Sequence, residues 1–434
     1  METVDRIYKI LEKKDLSDFI VTIEETDTDQ IRFSAGSKDL FNHWEETDAN
    51  IFIAKGKKIF SSSIRRFEKP EDEIEKAISI LNALPDNENY FGLHDRKEVY
   101  SGIRKFSKIE ADIDSFASSM LDSAMNAGSE RASGLVYNHY STVSFRTPTN
   151  ESSYNKGGLH LLVRAFRGEG TGQEATHFGF ENPRPGKVPE IMGNVAAETA
   201  KLSMNTMDLE PGKFSILMGP HLVGNLLTYG SSLFSAHSVD SGMSCFEGKI
   251  GTKVAGDEIT LHDDPLNFNG DSAVQIDDEG VLTSKTPMIV NGILKTYLHS
   301  HSTAVKFKTE TNGHAGVISP HPWQLNLSPG REDWESMLSN MKHGLFIKNA
   351  WYTRFQDYRN GVFSTVPRDG VFLVENGEIK GSVRGIRISD SIPAILNNIE
   401  SVSKDQRNVR WWEEIASSFM PYAMVNAVSI SKSF

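Results

Sequence analysis

The chain has 434 residues, 38% of them hydrophobic and 24% charged, and a formal net charge of −12. That length exceeds one ordinary core and points to about two or three domains, while an acidic balance with scattered Lys and Arg argues against a direct nucleic-acid ligand. The charged opening from Glu2 to Lys14 reads as no secretory signal, no uncharged apolar run reaches membrane-spanning length, and a single cysteine, Cys245, leaves no intramolecular disulfide and no Cys-rich zinc site, a pattern that fits a reducing cytoplasm.

The opening stretch reads as a helix. Strands follow at Phe19, Val21 and Ile23 and at Ile31–Phe33, separated by a Thr/Asp turn cluster. Asn50 to Phe60 is apolar, then Lys-Gly, then apolar, which predicts a β-hairpin turning at Gly56. Pro70 and the acidic run Glu71–Glu73 suit a first helical turn, and Ile74, Ala77, Ile78 and Leu81 fall on one face before Leu84-Pro85 stops the helix. Asn87 to Lys108 is polar and mixed and is taken as a boundary. A second helix carries the stripe Ile109, Ile113, Phe116, Ala117, Met120, Leu121 and Ala124 and ends near Gly128. Short strands are expected at 134–138, 142–145 and 159–166, a loose glycine loop at Gly168–Gly172, and a helix around Ile191, Val195, Ala196 and Ala200. From Glu210 onward the chain is strand-rich, with Asn-Gly hairpin signals at Asn291-Gly292 and Asn376-Gly377. The fold class is α+β: an N-terminal α/β domain over 1–86, a central α/β domain over 109–207, and a large β-rich domain over 210–434.

Candidate chemistry is sparse. Arg167–Gly172 has close glycines without the Lys-Ser/Thr of a phosphate loop, so it reads as a loop. The thirteen histidines never form a helical H-E-x-x-H or H-E-x-x-x-H. His299 and His301 are a close pair, and on a strand they would share a face; with His262, Asp263 or His314 they would make a third-ligand metal site, against the competing reading as surface or polar-cluster residues. Asp263-Asp264-Pro265 and Asp277-Asp278-Glu279-Gly280 are grouped carboxylates; they fit a hard cation or acid–base chemistry less well than turn capping, because Asp before Pro or Gly hydrogen-bonds its own turn. Cys245, next to Phe246, reads as a buried structural thiol. Trp351-Tyr352 and Trp411-Trp412 are aromatic concentrations, read as core or as a subunit contact.

The order of these signals carries a resemblance. Phe246-Glu247-Gly248-Lys249-Ile250-Gly251-Thr252-Lys253-Val254-Ala255 precedes Asp263-Asp264-Pro265, Asp277–Gly280 and Val290–Leu294. Then come Thr311–Gly316, Leu327–Gly330, Met341–Leu345, Gly361–Ser364 and Asn376–Ile379. This series resembles the C-terminal domain of the TldD/TldE (PmbA) family, and the N-terminal hairpin with the Pro70 helix resembles the family's first domain. TldD-like chains carry a helical H-E-x-x-x-H shortly before the Phe246 segment and a C-terminal Cys ligand. The matching position here reads Leu227-Thr228-Tyr229-Gly230-Ser231-Ser232, and the tail from Pro421 to Phe434 has no Cys. Thr311-Asn312-Gly313 departs from the family's Thr-Gly-Asn order, His299-Ser300-His301 is not a family feature, and the loop 349–360 is unusually aromatic.

The resemblance implies a TldE/PmbA-like subunit with no metal of its own and a TldD-like partner that holds the zinc. The pair would enclose a cavity for unfolded or small peptides, and Leu227–Ser232 would line that cavity or the interface. Without its partner the chain has a homodimer open to it, and the sequence does not decide that state. The alternatives are a free-standing metallopeptidase built on His299 and His301, and a non-enzymatic regulatory protein.

Overall fold

The computed structural model describes residues 2–433 apart from Ile318 and Ile415. Helix α1 (Glu2–Leu11) leads into three long antiparallel strands, β1 (Asp18–Ser34), β2 (Ser37–Lys55) and β3 (Lys58–Ile64). The β2–β3 turn is at Gly56, whose φ of +60° is the left-handed conformation glycine adopts without a Cβ penalty. Helix α2 (Pro70–Ala83) starts on Pro70 with acidic residues in its first turn and buries Ile74, Ala77 and Leu81, as its spacing predicts. Helix α3 (Ile113–Asn126) is capped by the Asp112 side chain, which accepts from Ser115 N at 3.0 Å, so it begins four residues after Ile109. Strands β4 (Arg131–Arg146), β5 (Glu151–Arg167) and β6 (Gly170–Phe178) follow, then α4 (Val188–Leu202).

These strands form one six-stranded sheet in the order β3-β2-β1-β4-β5-β6. The β1–β4 ladder therefore joins segments 1–86 and 109–207. The sheet supports two hydrophobic clusters. One gathers Ile7, Leu11, Val21, Ile53, Ile74 and Leu81; the other gathers Phe33, Ala117, Met120, Val136, Leu161 and Ala196.

Three local expectations are corrected here. Thr26–Asp29 is no turn but the middle of β1, because β2 and β4 pair with it on both sides and Lys108 Nζ bridges Asp27 and Asp29 at 2.6 Å each. The strands at 134–138 and 142–145 are one continuous strand for the same reason. The glycine stretch is a tight hairpin: Gly168 has φ +52° at the turn, while Gly170 and Gly172 lie within β6, where a Cβ would come 2.0 Å from Ala200 O and 2.2 Å from Ala196 O. Those glycines let α4 lie directly on the strand.

The C-terminal half is a mixed twelve-stranded sheet. In chain order its elements are β7 (Thr206–Met207), β8 (Gly212–Met218), α5 (Pro220–Gly230), α6 (Ala236–Asp240), β9 (Leu261–Asp263), β10 (Thr286–Val290), β11 (Ile293–Leu294), α7 (His301–Phe307), β12 (Gln324–Leu327) and α8 (Trp334–Ser339). Then come β13 (His343–Asp357), β14 (Val362–Glu375), β15 (Glu378–Val383), β16 (Ile386–Ser391), α9 (Ile392–Asn398), β17 (Ile399–Val409) and β18 (Ser417–Lys432). The strand order is β11-β10-β9-β12-β18-β8-β13-β14-β15-β7, with β16 against β14 and β18 and β17 against β18. Asn291-Gly292 and Asn376-Gly377 make the hairpin turns their dipeptides predict, with φ of +48°/+76° and +52°/+77°. The aromatic stretch from 349 is no loop: β13 runs to Asp357, with a register shift after Trp351 and Tyr352 at φ +60°. Trp411 is core and Trp412 is exposed. Among the described residues no helix is long and apolar enough to cross a membrane.

Polar groups fasten the two sheets together. Asp271, fully buried, accepts from Ser417 Oγ at 2.6 Å and pairs with Arg410, and its backbone N–H donates to His177 Nδ1 at 3.3 Å. Thr176 Oγ1 donates to Asn408 O at 2.9 Å, and Asn408 Nδ2 donates to His177 O at 3.0 Å. Lys348 Nζ contacts Glu174 at 2.5 Å and Thr199 at 2.9 Å. Burial holds His177 below the ordinary imidazole value, lowers His139 to about 4 and lowers His160 to about 3, so all three stand neutral at this joint near pH 7. The polar segment 87–108 is fastened at both ends: Tyr90 Oη donates to Asp18 at 2.9 Å, and Arg104 N donates to Gln275 Oε1 at 2.7 Å.

Candidate functional site

Helix α5 occupies the position where a helical zinc motif would be read. Pro220 starts it, and Leu222, Val223, Leu226 and Leu227 lock it into the main core beside β13 and β18. Two of the hydroxyls that follow are satisfied locally. Thr228 Oγ1 donates to Gly224 O at 2.7 Å, and Ser231 Oγ donates to Thr228 O at 2.6 Å. Tyr229 is half-buried against Phe355, with ring centroids 5.3 Å apart, and Gly230 and Ser232 continue the turn. Zinc needs three or four His, Cys or carboxylate ligands converging on one point. Leu227, Thr228, Tyr229, Gly230, Ser231 and Ser232 supply none, so this stretch does not fit zinc.

The polar groups nearest α5 are of another kind. Thr353 Oγ1 lies between Asn225 Oδ1 and Thr365 Oγ1, and Glu413 accepts from Thr353 N at 3.4 Å. Gly224 brings the helix against Glu414, because a Cβ there would lie 2.5 Å from Glu414 Oε1. Burial pushes the Glu414 carboxyl well above its ordinary value, against the lowering effect of Arg410. His221, one turn upstream, is buried; its Nε2 accepts from Ala175 N at 3.4 Å, and burial lowers its pKa. None of these contacts is readable from sequence, since they join α5 to residues at least 46 positions away.

The histidine pair is not on a strand. Ser300 caps α7, its Oγ accepting from Thr303 N at 3.4 Å, so His299 precedes the helix and His301 opens it. His299 Nδ1 lies 3.3 Å from Thr303 Oγ1, while the His301 ring faces His94, centroids 6.0 Å apart. A capping box has replaced the alternation that would have put both imidazoles on one side. His262 is buried on β9, with Nε2 3.9 Å from Asp264. Among the described residues, the groups compact enough to hold a metal are Asp27–Asp29–His43 and Asp333–Glu335–Asp405; neither includes His299, His301 or His262. Lys108 already bridges Asp27 and Asp29 in the first group.

The grouped carboxylates have separate jobs. Asp263 is fully buried and accepts from Trp323 N at 3.0 Å and Gln324 N at 2.6 Å, with His314 Nε2 at 3.0 Å. It therefore ties β9 to distant chain and does not cap its own turn. Asp264 is reached by Lys285 at 3.4 Å. Asp277 does make the turn: Oδ1 accepts from Glu279 N at 3.0 Å and Val281 N at 2.9 Å, and Oδ2 accepts from Ala315 N at 3.0 Å. Glu279 accepts from His301 N at 2.7 Å and so caps α7 from outside.

Asp278 and Glu279 also border the principal cleft, of about 600 Å³. Its first wall comes from β1–β3, with Thr22, Asn50, Phe52, Ile59, Ser61 and Ser63. Its second wall is α6, the 278–279 turn, α7 and the residues Gly316, Val317, Ser319 and Pro320. Lys306 enters from α7, where Asp240 at 2.6 Å and Asn89 at 2.8 Å hold its ammonium. Burial with the nearby Asp278 charge pushes Glu279 up to about 7, against the lowering effect of the His301 N–H. Burial and Glu279 likewise hold Asp277 well above the carboxylate range. Leu227–Ser232 do not border this cleft.

Cys245 is buried beside Gly361, and burial pushes its thiol up to about 11. That rise from an ordinary value of 9.0 cuts the reactive thiolate roughly a hundredfold. Native chain should therefore label with iodoacetamide at least a hundredfold more slowly than urea-unfolded chain. Equal rates would show that the thiol is accessible.

Residues 211–432 match the family model described as the PmbA/TldA metallopeptidase C-terminal domain. A metalloprotease of Methanocaldococcus jannaschii is 26% identical over 431 residues, covering 93% of each chain. The metalloprotease PmbA of Escherichia coli O157:H7 is 27% identical over 228 residues, covering 50% of this chain and 47% of its own. TldE from Thermococcus kodakarensis has the same fold across 99% of each chain, with a TM-score of 0.81 at 18% identity. The strand-rich α+β architecture and the matched C-terminal half agree: this chain belongs to the PmbA/TldD family of metallopeptidase-like proteins.

Proposed function

We propose that this chain is the non-catalytic, TldE/PmbA-like subunit of a heterodimeric zinc metalloprotease that processes unfolded or small peptides in the cytoplasm. The observation that carries the reading is α5 and the turn after it: where a TldD-like chain has H-E-x-x-x-H, this stretch presents Leu227–Ser232, with the Thr228 and Ser231 hydroxyls spent on local carbonyls. A TldD-like partner would hold the zinc and supply the general base. This chain would contribute cavity wall and substrate contacts. The free-standing metallopeptidase reading draws no support from His299 and His301, which a helix cap separates.

The test is zinc content and peptidase activity of the purified chain, alone and mixed with a TldD-like partner. The expected result is no zinc and no cleavage alone, and cleavage on mixing. Stoichiometric zinc in the lone chain, lost in His299→Ala/His301→Ala, would overturn the proposal.

A further inference from the structure

We infer that a strip of exposed aromatic and arginine side chains along the end of β13, with Trp412 and Arg368 beside it, docks a different protein chain with an acidic face, the TldD-like subunit. The inference rests on the subunit proposal above and gives that partner a place to bind.

Three observations converge. The first is what the strip displays. Tyr352, Arg354, Gln356 and Tyr358 are exposed at alternate positions, and Thr353 is buried, so one face of the strand looks outward over roughly 20 Å. Tyr352 is 47% exposed, Tyr358 40% and Trp412 56%. Protein–protein contacts concentrate their energy on Trp, Tyr and Arg, and large rings left open together on a folded chain mark such contacts.

The second is backbone strain. Between Trp351 and Arg354 β13 carries one residue more than β14, a bulge, and Tyr352 sits in it at φ +60°. Glycine adopts that backbone freely, and an aromatic residue does not. The bulge turns the Tyr352 ring outward, edge-on to Trp351 and Trp412 with centroids 6.1 Å from each.

The third is charge. Arg354, Arg359 and Arg368 are exposed. Arg354 reaches Glu413 at 3.7 Å, and Arg368 lies over the Trp351 and Tyr352 rings at 5.1 and 5.9 Å. Asp357, two residues before Arg359, is occupied by Asn360, whose N and Nδ2 donate at 3.1 and 2.6 Å. Among the described residues neither Arg359 nor Arg368 has a salt bridge. A cationic strip on a chain of net charge −12 complements carboxylates on whatever covers it. A second copy fits badly, because a two-fold interface sets one patch against itself and would face these guanidiniums with their own copies. Nucleic acid meets the repulsion of the whole acidic chain. A different, acidic-faced chain meets neither objection. The strip also reaches the stretch that lacks the zinc motif: Phe355 packs on Tyr229 with centroids 5.3 Å apart, and Arg354 lies over the same ring at 5.9 Å.

The experiment measures the affinity of the full chain for a purified TldD-like subunit by calorimetry, at low and high salt. Tyr352→Gly and Trp412→Ala should each weaken binding about thirtyfold. Arg359→Glu and Arg368→Glu should each weaken it about tenfold at low salt and less at high salt. Lys13→Glu, the same charge change at an exposed residue outside the strip, should leave it unchanged. Tyr352→Gly separates docking from folding: glycine suits the bulge, so the urea midpoint should stay close to that of the native chain while affinity falls. Native affinity in all four strip variants would overturn the inference and leave the subunit proposal standing. A native chain that binds no TldD-like subunit would sink both. A lone chain that sediments as a dimer split by Trp412→Ala, or that binds single-stranded DNA through Arg368, would reveal another occupant and overturn this inference alone.

Discussion

Replacing Asp271 by Ala should cost about 3 kcal/mol of stability in urea unfolding at pH 7, the low end of about 3–5 kcal/mol for breaking a buried pair. The low end applies because the Arg410 side chain is 36% exposed and water can solvate it once its partner is gone. The loss has three parts: the Arg410 pair, the Ser417 hydroxyl bond at 2.6 Å, and a neutral His177 left facing a void. Asp271→Asn should cost less, since it keeps an acceptor for Ser417. The pH dependence follows from the carboxyl being held well below its ordinary value, where the penalty of burial is outweighed by Arg410, by His177 and His139 once acid protonates them, and by the Ser417 hydroxyl. A depressed carboxylate contributes stability at every pH above its unfolded value of about 3.9, and that contribution fades as pH falls through the folded value. The gap between native chain and Asp271→Ala should therefore be constant from pH 7 to about 4.5 and shrink below about 4. A gap that closes near pH 6 would assign the effect to the surrounding histidines.

A second large effect is expected at the glycine hairpin, where three glycines within five residues do different work. Gly172→Val should destabilise by about 3 kcal/mol or more. Its Cβ would meet Ala196 O at 2.2 Å and Thr199 Cβ at 2.6 Å, so α4 must lift from β6. Gly168→Ala meets nothing within 4 Å and pays only for a φ of +52°, about 1 kcal/mol. Urea unfolding of the two variants decides between packing and turn strain: similar costs would mean that α4 does not rest on the strand as described.

That hairpin also shows where local reading stops. Closely spaced glycines read as a loose loop because sequence shows the missing Cβ but not the helix that uses the space. Thr26–Asp29 misled in the same way. Its Thr/Asp composition favours a turn in isolation, yet β2 and β4 pair along both sides and Lys108 neutralises two of its carboxylates. For His299 and His301 the competing signal was local but subtle: Ser300 and Thr303 form a capping box that starts α7 between them.

What the sequence by itself determined is everything governed by near neighbours: the Pro70 helix with its acidic first turn, the Gly56 hairpin, and both Asn-Gly turns, because φ preference, capping and periodicity act over a few residues. The ordered series from Phe246 to Ile379 was also legible, as was the lack of zinc ligands at Leu227–Ser232. Only the tertiary structure decided what depends on partners far apart in the chain. Asp271 met Arg410 and His177 across the joint of two sheets, Asp263 held Gln324, and β1–β3 came to line one cleft with Asp278 and Glu279. Burial and charge set the protonation of such groups, and both are properties of the folded surroundings that no local stretch of residues encodes.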